Sequence, residues 1–248
     1  MKISVILPTY NYGHFIKRAI ESVLSQDYPA SKRELIIVEG GSTDNTLEIL
    51  NEYEDKENFY ILNQKGKGLS NAVNQGILNS KGEYISRIDA DDVFLQGILS
   101  KESEVLDNKP DIGFVYPDYY SFLYNENKKV RKFLPDFSKE EVIVRGDFLS
   151  GGTMFRKSLF EKYGYYNENI PNLDSYDMIL RLMKNNVVGY HISEPLFEYT
   201  MHGSSMSDDT ELIDKTGKEI AKKYGLTYTK NSNHPRNIYS EWFFEPLN

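Results

Sequence analysis

The sequence predicts an α/β domain in which helices flank a mainly parallel central sheet, a single domain with two halves, residues 1–110 and 111–248. Three observations predict it. Strand-length apolar runs alternate with helix-period segments through the first half. The connections between them are short, which implies right-handed crossovers and parallel neighbours. Three polar, turn-prone clusters, "PTYN", "EGGSTD" and "DADD", each begin where an apolar run stops.

"ISVIL" (Ile3 to Leu7) is a short buried strand closed by Pro8. Phe15, Ile16, Ala19, Ile20, Val23 and Leu24 then recur at i, i+1, i+4, i+5 and give one helix face. "LIIV" (Leu35 to Val38) is the second strand. Asp44 or Asn45 can cap the helix after it, and Asn45 with Glu48 has capping-box spacing; Leu47, Leu50 and Tyr53 are its expected buried face. "FYIL" (Phe59 to Leu62) makes a third strand. Leu69, Ala72, Val73, Gly76 and Ile77 mark the next helix, and "EYISRI" (Glu83 to Ile88) a fourth strand.

The second half is less regular. "IGFVY" (Ile112 to Tyr116) reads as a strand, and the charged "NENKKVRKFLPDFSKEE" as an exposed loop or hairpin. "RKSLFEKYG" reads as a helix with Gly164 as its C-cap. "SYDMILRLMKNN" is a stronger helix, with Met178, Ile179, Leu182 and Met183 on one face. "TYTKNSNHPRN" reads as a loop, and "IYSEWFFEPLN" as a packed tail or contact patch.

Composition removes several classes. The 248 residues carry a net charge of −8, which argues against a broad nucleic-acid footprint. No apolar run approaches the roughly 20 residues of a spanning helix, and the N-terminal stretch does not read as a signal peptide. There is no cysteine, hence no disulfide, thiolate zinc site or cysteine nucleophile, a composition that suits a reducing cytosol. The glycine patterns of dinucleotide and P-loop sites are absent, as is G-x-S-x-G, and the four histidines lack zinc spacing.

"DADD" remains. Ligands of parallel sheets bind beyond the carboxyl ends of the strands, where the three polar clusters converge. Carboxylates crowded at a strand end suit a hard divalent cation, Mg²⁺ or Mn²⁺, shared with phosphates. An isolated D-x-D is more often a solvated acidic turn; the strand-end position and the two companion clusters favour the ion.

"ISVILPTYNYGHFIKRAIESVLSQDYP", "LIIVEGGSTDNTLEIL", "GLSNAVNQGILNSKGEYISRIDADD" and "FRKSLFEKYGYYNENI", in this order and spacing, resemble a family-2 inverting glycosyltransferase of the GT-A fold, with its Rossmann-like sheet. The resemblance runs to about Ser207. It implies transfer of a sugar from a nucleotide-diphosphate donor, UDP favoured, to a glycan or lipid-linked acceptor in polysaccharide or surface-glycan biosynthesis. The protein is expected in the cytoplasm or at the inner face of the membrane, and the aromatic run Trp242 to Phe244 is by itself a candidate for peripheral membrane contact. The net charge argues for no nucleic-acid partner, and the resemblance, like the acidic turn, implies Mn²⁺ or Mg²⁺ as cofactor.

The resemblance also assigns residues. Pro8, Thr9, Tyr10 and Asn11 match the first nucleotide-binding loop, with Tyr10 against the base. Glu39 and Gly40 match the acidic pair that reads base and ribose. Asp89, Ala90 and Asp91 match the D-x-D, with Asp91 the direct metal ligand and Asp92 assisting or orienting. His202, in "YTMHGSSMS", matches a His that reaches the metal or diphosphate; a lone His is otherwise more often structural. The acceptor hydroxyl needs a general base, which the family places just before a helix reading like "DYDLWLRL". Here "NLDSYDMILRL" puts Ser175 in that place, and Asp174 and then Asp177 are the candidate bases. A carboxylate at the position of Asp177 also favours the helix dipole.

The sequence departs from the family pattern in other places. Gly40 replaces the second acid of the base-reading pair. Thr200 stands where an Arg or Lys often precedes the His by two; Lys67, Arg87 and Arg156 are the candidate substitutes toward the diphosphate, each also readable as a surface charge or ion-pair partner. "SGGT" (Ser150 to Thr153) reads as an acceptor-side loop or a plain turn. The missing acid at Ser175 keeps open a second reading, a catalytically silent nucleotide-sugar binder or assembly partner. A sugar nucleotidyltransferase is a third, and would place a Gly-rich loop after the first strand.

Overall fold

The first apolar run becomes β1 (Ile3–Thr9), buried along its whole length. The computed structural model describes residues 1–145, 151–203 and 209–226. β1 lies between β2 (Arg33–Glu39) and β4 (Tyr84–Arg87), with β3 (Phe59–Asn63) outside β2, and all these pairs are parallel. Register aligns Val5 with Leu35 and Ser86, and Ile37 with Ile61. Strands covered on both faces need continuous apolar runs rather than alternation, which is what "ISVIL" and "LIIV" supply.

The crossovers are α1 (Ile16–Leu24), α2 (Thr46–Asn51) and α3 (Leu69–Asn79). α1 buries Ile16, Ala19, Ile20 and Val23. α3 comes so close to the sheet that a Cβ on Gly76 would stand 2.4 Å from Ile6 Cγ2, so only glycine fits there. In α2 the expected face is corrected: Leu50 and Tyr53 are buried, but Leu47 is 42% exposed. Thr46, Leu50 and Tyr53 follow i, i+4, i+7, which leaves Leu47 about 100° around the helix. The capping box does not form. Asn45 makes no side-chain cap bond, and Asp44 Oδ1 instead accepts from the Thr46 N–H at 3.0 Å.

Beyond β4 the chain builds β5 (Val93–Phe94), α4 (Ile98–Asn108), β6 (Ile112–Leu123), β7 (Lys128–Lys132), α5 (Lys139–Arg145), β8 (Met154–Arg156), α6 (Lys157–Tyr163), α7 (Asp174–Lys184), β9 (Val188–Met201) and α8 (Thr210–Lys223). The described strands form one sheet in the order β3-β2-β1-β4-β8-β6-β9-β5, with β7 also paired to β6. Parallel order holds through β4; β8 then pairs antiparallel with both β4 and β6, while β9 runs parallel to β6. The charged stretch after β6 is a hairpin onto β7, with Tyr120 opposite Arg131. The short β5 is pinned to α1, its Phe94 N–H donating to Ser22 Oγ at 3.1 Å. α4, β9 and α8 carry no expectation from the sequence. The tail at 227–248, with its loop and aromatic run, lies outside the described residues.

Candidate active site

The loops after β1 and β2 are zipped together. Asn11 N–H donates to Ser42 Oγ at 2.8 Å, and Thr43 N–H donates back to Asn11 Oδ1 at 2.7 Å. Tyr12 N–H reaches Thr46 Oγ1 at 3.0 Å, Gly13 N–H reaches Asp44 Oδ2 at 3.0 Å, and Gly40 N–H reaches the Thr9 carbonyl at 2.9 Å. Asn11 holds φ +58°, a left-handed conformation that Asn tolerates better than most residues. Glu39 is buried, and its carboxylate accepts from the Gly41 and Ser42 N–H groups at 2.9 and 2.6 Å, closing its own turn. A Cβ on Gly40 would lie 3.1 Å from Tyr10 Cβ and 3.2 Å from Gln64 Oε1, so glycine lets the two loops approach here. Pro8 and Thr9 are buried at the end of β1, and Tyr10 emerges 56% exposed on the rim.

β4 delivers the acidic turn, closed by Asp92 N–H donating to the Asp89 carbonyl at 3.1 Å. Its three carboxylates have separate partners. Arg87 grips Asp89 in a two-pronged pair, Nε to Oδ1 at 2.7 Å and Nη2 to Oδ2 at 3.0 Å. Asp91 Oδ2 lies 3.0 Å from His202 Nε2, which the end of β9 brings in. Asp92 is buried and accepts the Thr200 N–H at 2.9 Å, so Thr200 serves through its backbone. Ala90, also buried, spaces the first two. Burial pushes the Asp91 carboxyl up, with Asp89 adding to it against the His202 bond; burial and then Asp91 and Asp89 push Asp92 well above the carboxylate range. The Tyr12 hydroxyl is raised by burial and by Asp91, Asp89 and Asp92. Negative charge is thus concentrated where a cation would relieve it.

The side chains of Asp91 and His202 are both largely buried and converge, offering one oxygen and one nitrogen donor. That pair fits Mn²⁺, whereas Mg²⁺ favours an all-oxygen shell. Among the described residues no group of three His, Asp or Glu side chains is placed to hold an ion. The remaining ligands would therefore be water or phosphate oxygens. His202 also stacks on Phe15 at 4.6 Å between ring centres and meets Tyr12 edge-on at 6.2 Å. Sequence reasoning assigned Tyr12 no role and Phe15 only to a helix face; the aromatic density of "YNYGHF" was the available signal.

The two candidate bases differ sharply. Asp174 opens α7 and turns one oxygen to Arg87, Nη1 to Oδ2 at 2.7 Å, so a single guanidinium joins it to Asp89. Its carboxylate makes no other hydrogen bond among the described residues. Asp177 is 1% exposed and faces α8, receiving Lys223 Nζ at 2.6 Å and the Tyr224 hydroxyl at 3.2 Å. Ser175 is half-buried between them.

Lys67 is exposed in the loop before α3. Arg156 lies at the opposite end of β4, in register with Tyr84, and donates to the Ile112, Leu106 and Lys109 carbonyls. Of "SGGT", Ser150 lies outside the described residues. A Cβ on Gly151 or Gly152 would stand 2.7 or 2.9 Å from the Phe197 ring, and Gly152 N–H donates to the Arg87 carbonyl at 3.3 Å. Those glycines let the loop cross Phe197 beside the acidic turn.

The fold is shared with solved glycosyltransferases. TarS of Staphylococcus aureus, in complex with UDP-GlcNAc, superposes with a TM-score of 0.72 at 20% identity, covering 98% of this chain and 71% of that one. The mannosyltransferase PcManGT of Pyrobaculum calidifontis, in complex with GDP-Man and Mn²⁺, gives 0.71 at 16% identity over 97% and 69%. Both identify the mixed sheet as a GT-A fold. In sequence, the chondroitin synthase of Pasteurella multocida is 28% identical over 94% of this chain. The chain spans 24% of that synthase's length and 33% of two rickettsial glycosyltransferases'. The model of "Glycosyl transferase family 2" matches residues 4–164, well over half of the chain. With the D-x-D turn, the zipped loops and the fold in agreement with that match, the chain belongs to glycosyl transferase family 2.

Proposed function

We propose that the protein is an inverting glycosyltransferase that moves a sugar from a nucleotide diphosphate, UDP favoured, to an acceptor hydroxyl in polysaccharide or surface-glycan biosynthesis. The observation that carries this reading is the convergence at one sheet edge of Tyr10, the Asp91–His202 pair and Asp174, the last tied to the acidic turn through Arg87. Tyr10 offers an exposed ring for a base to lie on. The acceptor oxygen attacks the anomeric carbon as the bond from that carbon to the diphosphate oxygen breaks, its electron pair leaving with the nucleotide. The acceptor's proton goes to the open oxygen of Asp174. One displacement inverts the anomeric centre, through an oxocarbenium-like transition state.

A divalent ion held by Asp91 and His202 supplies, when bound, neutralisation of charge on the leaving diphosphate. Support for Mn²⁺ comes from the donor set and from the ion in the Pyrobaculum enzyme's complex. Support for a polysaccharide role comes from the likeness to a chondroitin synthase. The single-domain reading of residues 1–248, the glycan or lipid-linked acceptor and the cytoplasmic, membrane-proximal placement belong to the same proposal. Among the described residues no helix is long and apolar enough to cross a membrane.

The test is nucleotide release from UDP-sugars and GDP-mannose by the parent and by Asp174→Asn. Turnover by the parent that falls at least about 100-fold in the variant fits removal of a general base. An unchanged rate in the variant contradicts the assignment. A parent that binds these donors without turning any over supports the silent-binder reading instead.

A further inference from the structure

We propose that Arg87 is a positioning residue: it fixes the distance between the donor-binding acidic turn and the base Asp174, and acts on turnover rather than on nucleotide uptake. The proposal rests on the transferase reading above and deepens it.

The geometry is that of a strut. The planar fork of the guanidinium engages both oxygens of Asp89, and its remaining arm reaches Asp174 in the opposite direction. The side chain of Arg87 is only 12% exposed and that of Asp174 10%, so little water screens the link. Burial alone would weaken the guanidinium's hold on its proton, yet the Asp174 and Asp89 carboxylates raise its pKa well above the usual value. Lysine cannot make this arrangement, because a point charge lacks two opposed donor faces.

The start of α7 needs such a strut. Leu173, directly before Asp174, holds φ +56°, a left-handed conformation that strains a leucine. Leu173, at the N-cap position, makes no side-chain cap bond. The chain leading to it is clamped to α3: Glu168 accepts from Asn71 Nδ2 and Asn74 Nδ2, each at 2.9 Å, and Tyr166 N–H donates to Asn74 Oδ1 at 2.9 Å. α3 thus holds one side of the strained residue and Arg87 the other. Strain of this kind persists only where the surroundings over-determine it.

The test takes the full chain as parent, Arg87→Gln, Arg87→Lys and Asp174→Asn. Calorimetry with UDP and Mn²⁺ reads nucleotide uptake; nucleotide release from a panel of UDP-sugars and GDP-mannose, with sugar acceptors present, reads turnover. Both Arg87 variants should bind UDP within about threefold of the parent, a difference under 1 kcal/mol. In Arg87→Gln kcat should fall on the order of 100-fold, the penalty for misplacing a reacting group by about 1 Å, with KM little changed. Arg87→Lys, which keeps the charge and loses the fork, should lose at least about tenfold in kcat; it serves alone if the glutamine variant fails to fold. Full kcat in either variant, or UDP affinity lost as much as turnover, overturns the proposal. Failure of the underlying reading looks different: Asp174→Asn would stay active, or the parent would release nucleotide from no donor.

Discussion

Lys223 Nζ stands 2.6 Å from Asp177 Oδ1, so the second carboxylate of α7 is engaged by α8. Asp177 is buried and Lys223 half-exposed, and Tyr224 adds a hydroxyl contact. Asp177→Asn should therefore lower stability by about 2 kcal/mol, less than a fully buried pair would lose. For a chain of this size that is a fall in Tm of roughly 4–8 °C. Asp174→Asn breaks a more deeply buried pair with Arg87 and should lower Tm at least as much, but it alone should remove turnover. Thermal melts beside donor-release rates check both; turnover kept in Asp174→Asn and lost in Asp177→Asn would make Asp177 the base.

His202 meets the acidic turn through Asp91 and is steadied by Phe15. His202→Ala should weaken Mn²⁺ binding in the presence of UDP by about tenfold or more, near 1.4 kcal/mol. UDP binding without metal should change little. Titration of Mn²⁺ followed by its electron spin resonance separates the two. Undiminished Mn²⁺ affinity would make His202 a packing residue.

Glu102 is fully buried in α4, and neither carboxylate oxygen finds a hydrogen-bond partner among the described residues. Burial holds its pKa well above the ordinary value of 4.5. The folded state therefore binds the extra proton, and stability falls as pH rises from about 4.5 through the raised folded value. Glu102→Met should stabilise the protein at pH 7.5 by roughly 1–3 kcal/mol, the cost of an unsatisfied buried polar group. The gain should shrink toward pH 4.5. Urea melts at the two pH values test it, and a gain independent of pH would contradict it.

The parallel half of the sheet was legible because burial on both faces forces uniform apolar runs, and β1 and β2 are buried throughout. β9 was not, although it brings His202 to the site. Its fourteen residues include Glu194, Pro195 and Glu198, and Glu198 is neutralised from outside the strand by Arg18 and Lys129. α4 was hidden in part by Glu102, an acidic residue on its buried face. Within the site, residue types at strand ends showed the acidic turn, but not how each acid is partnered. Arg87 and Asp174 are 87 positions apart, and no spacing rule connects them. Nor does sequence show that Glu39 and Asn11 spend polar atoms joining their own loops.

The most direct measurement is calorimetric titration of UDP into the parent and Asp91→Ala, each with and without Mn²⁺. The account predicts that Mn²⁺ tightens UDP binding to the parent by tenfold or more, about 1.4 kcal/mol, and that Asp91→Ala abolishes this gain while remaining folded. Equal tightening in the folded variant would show that the metal and the diphosphate meet somewhere other than the turn that ends β4.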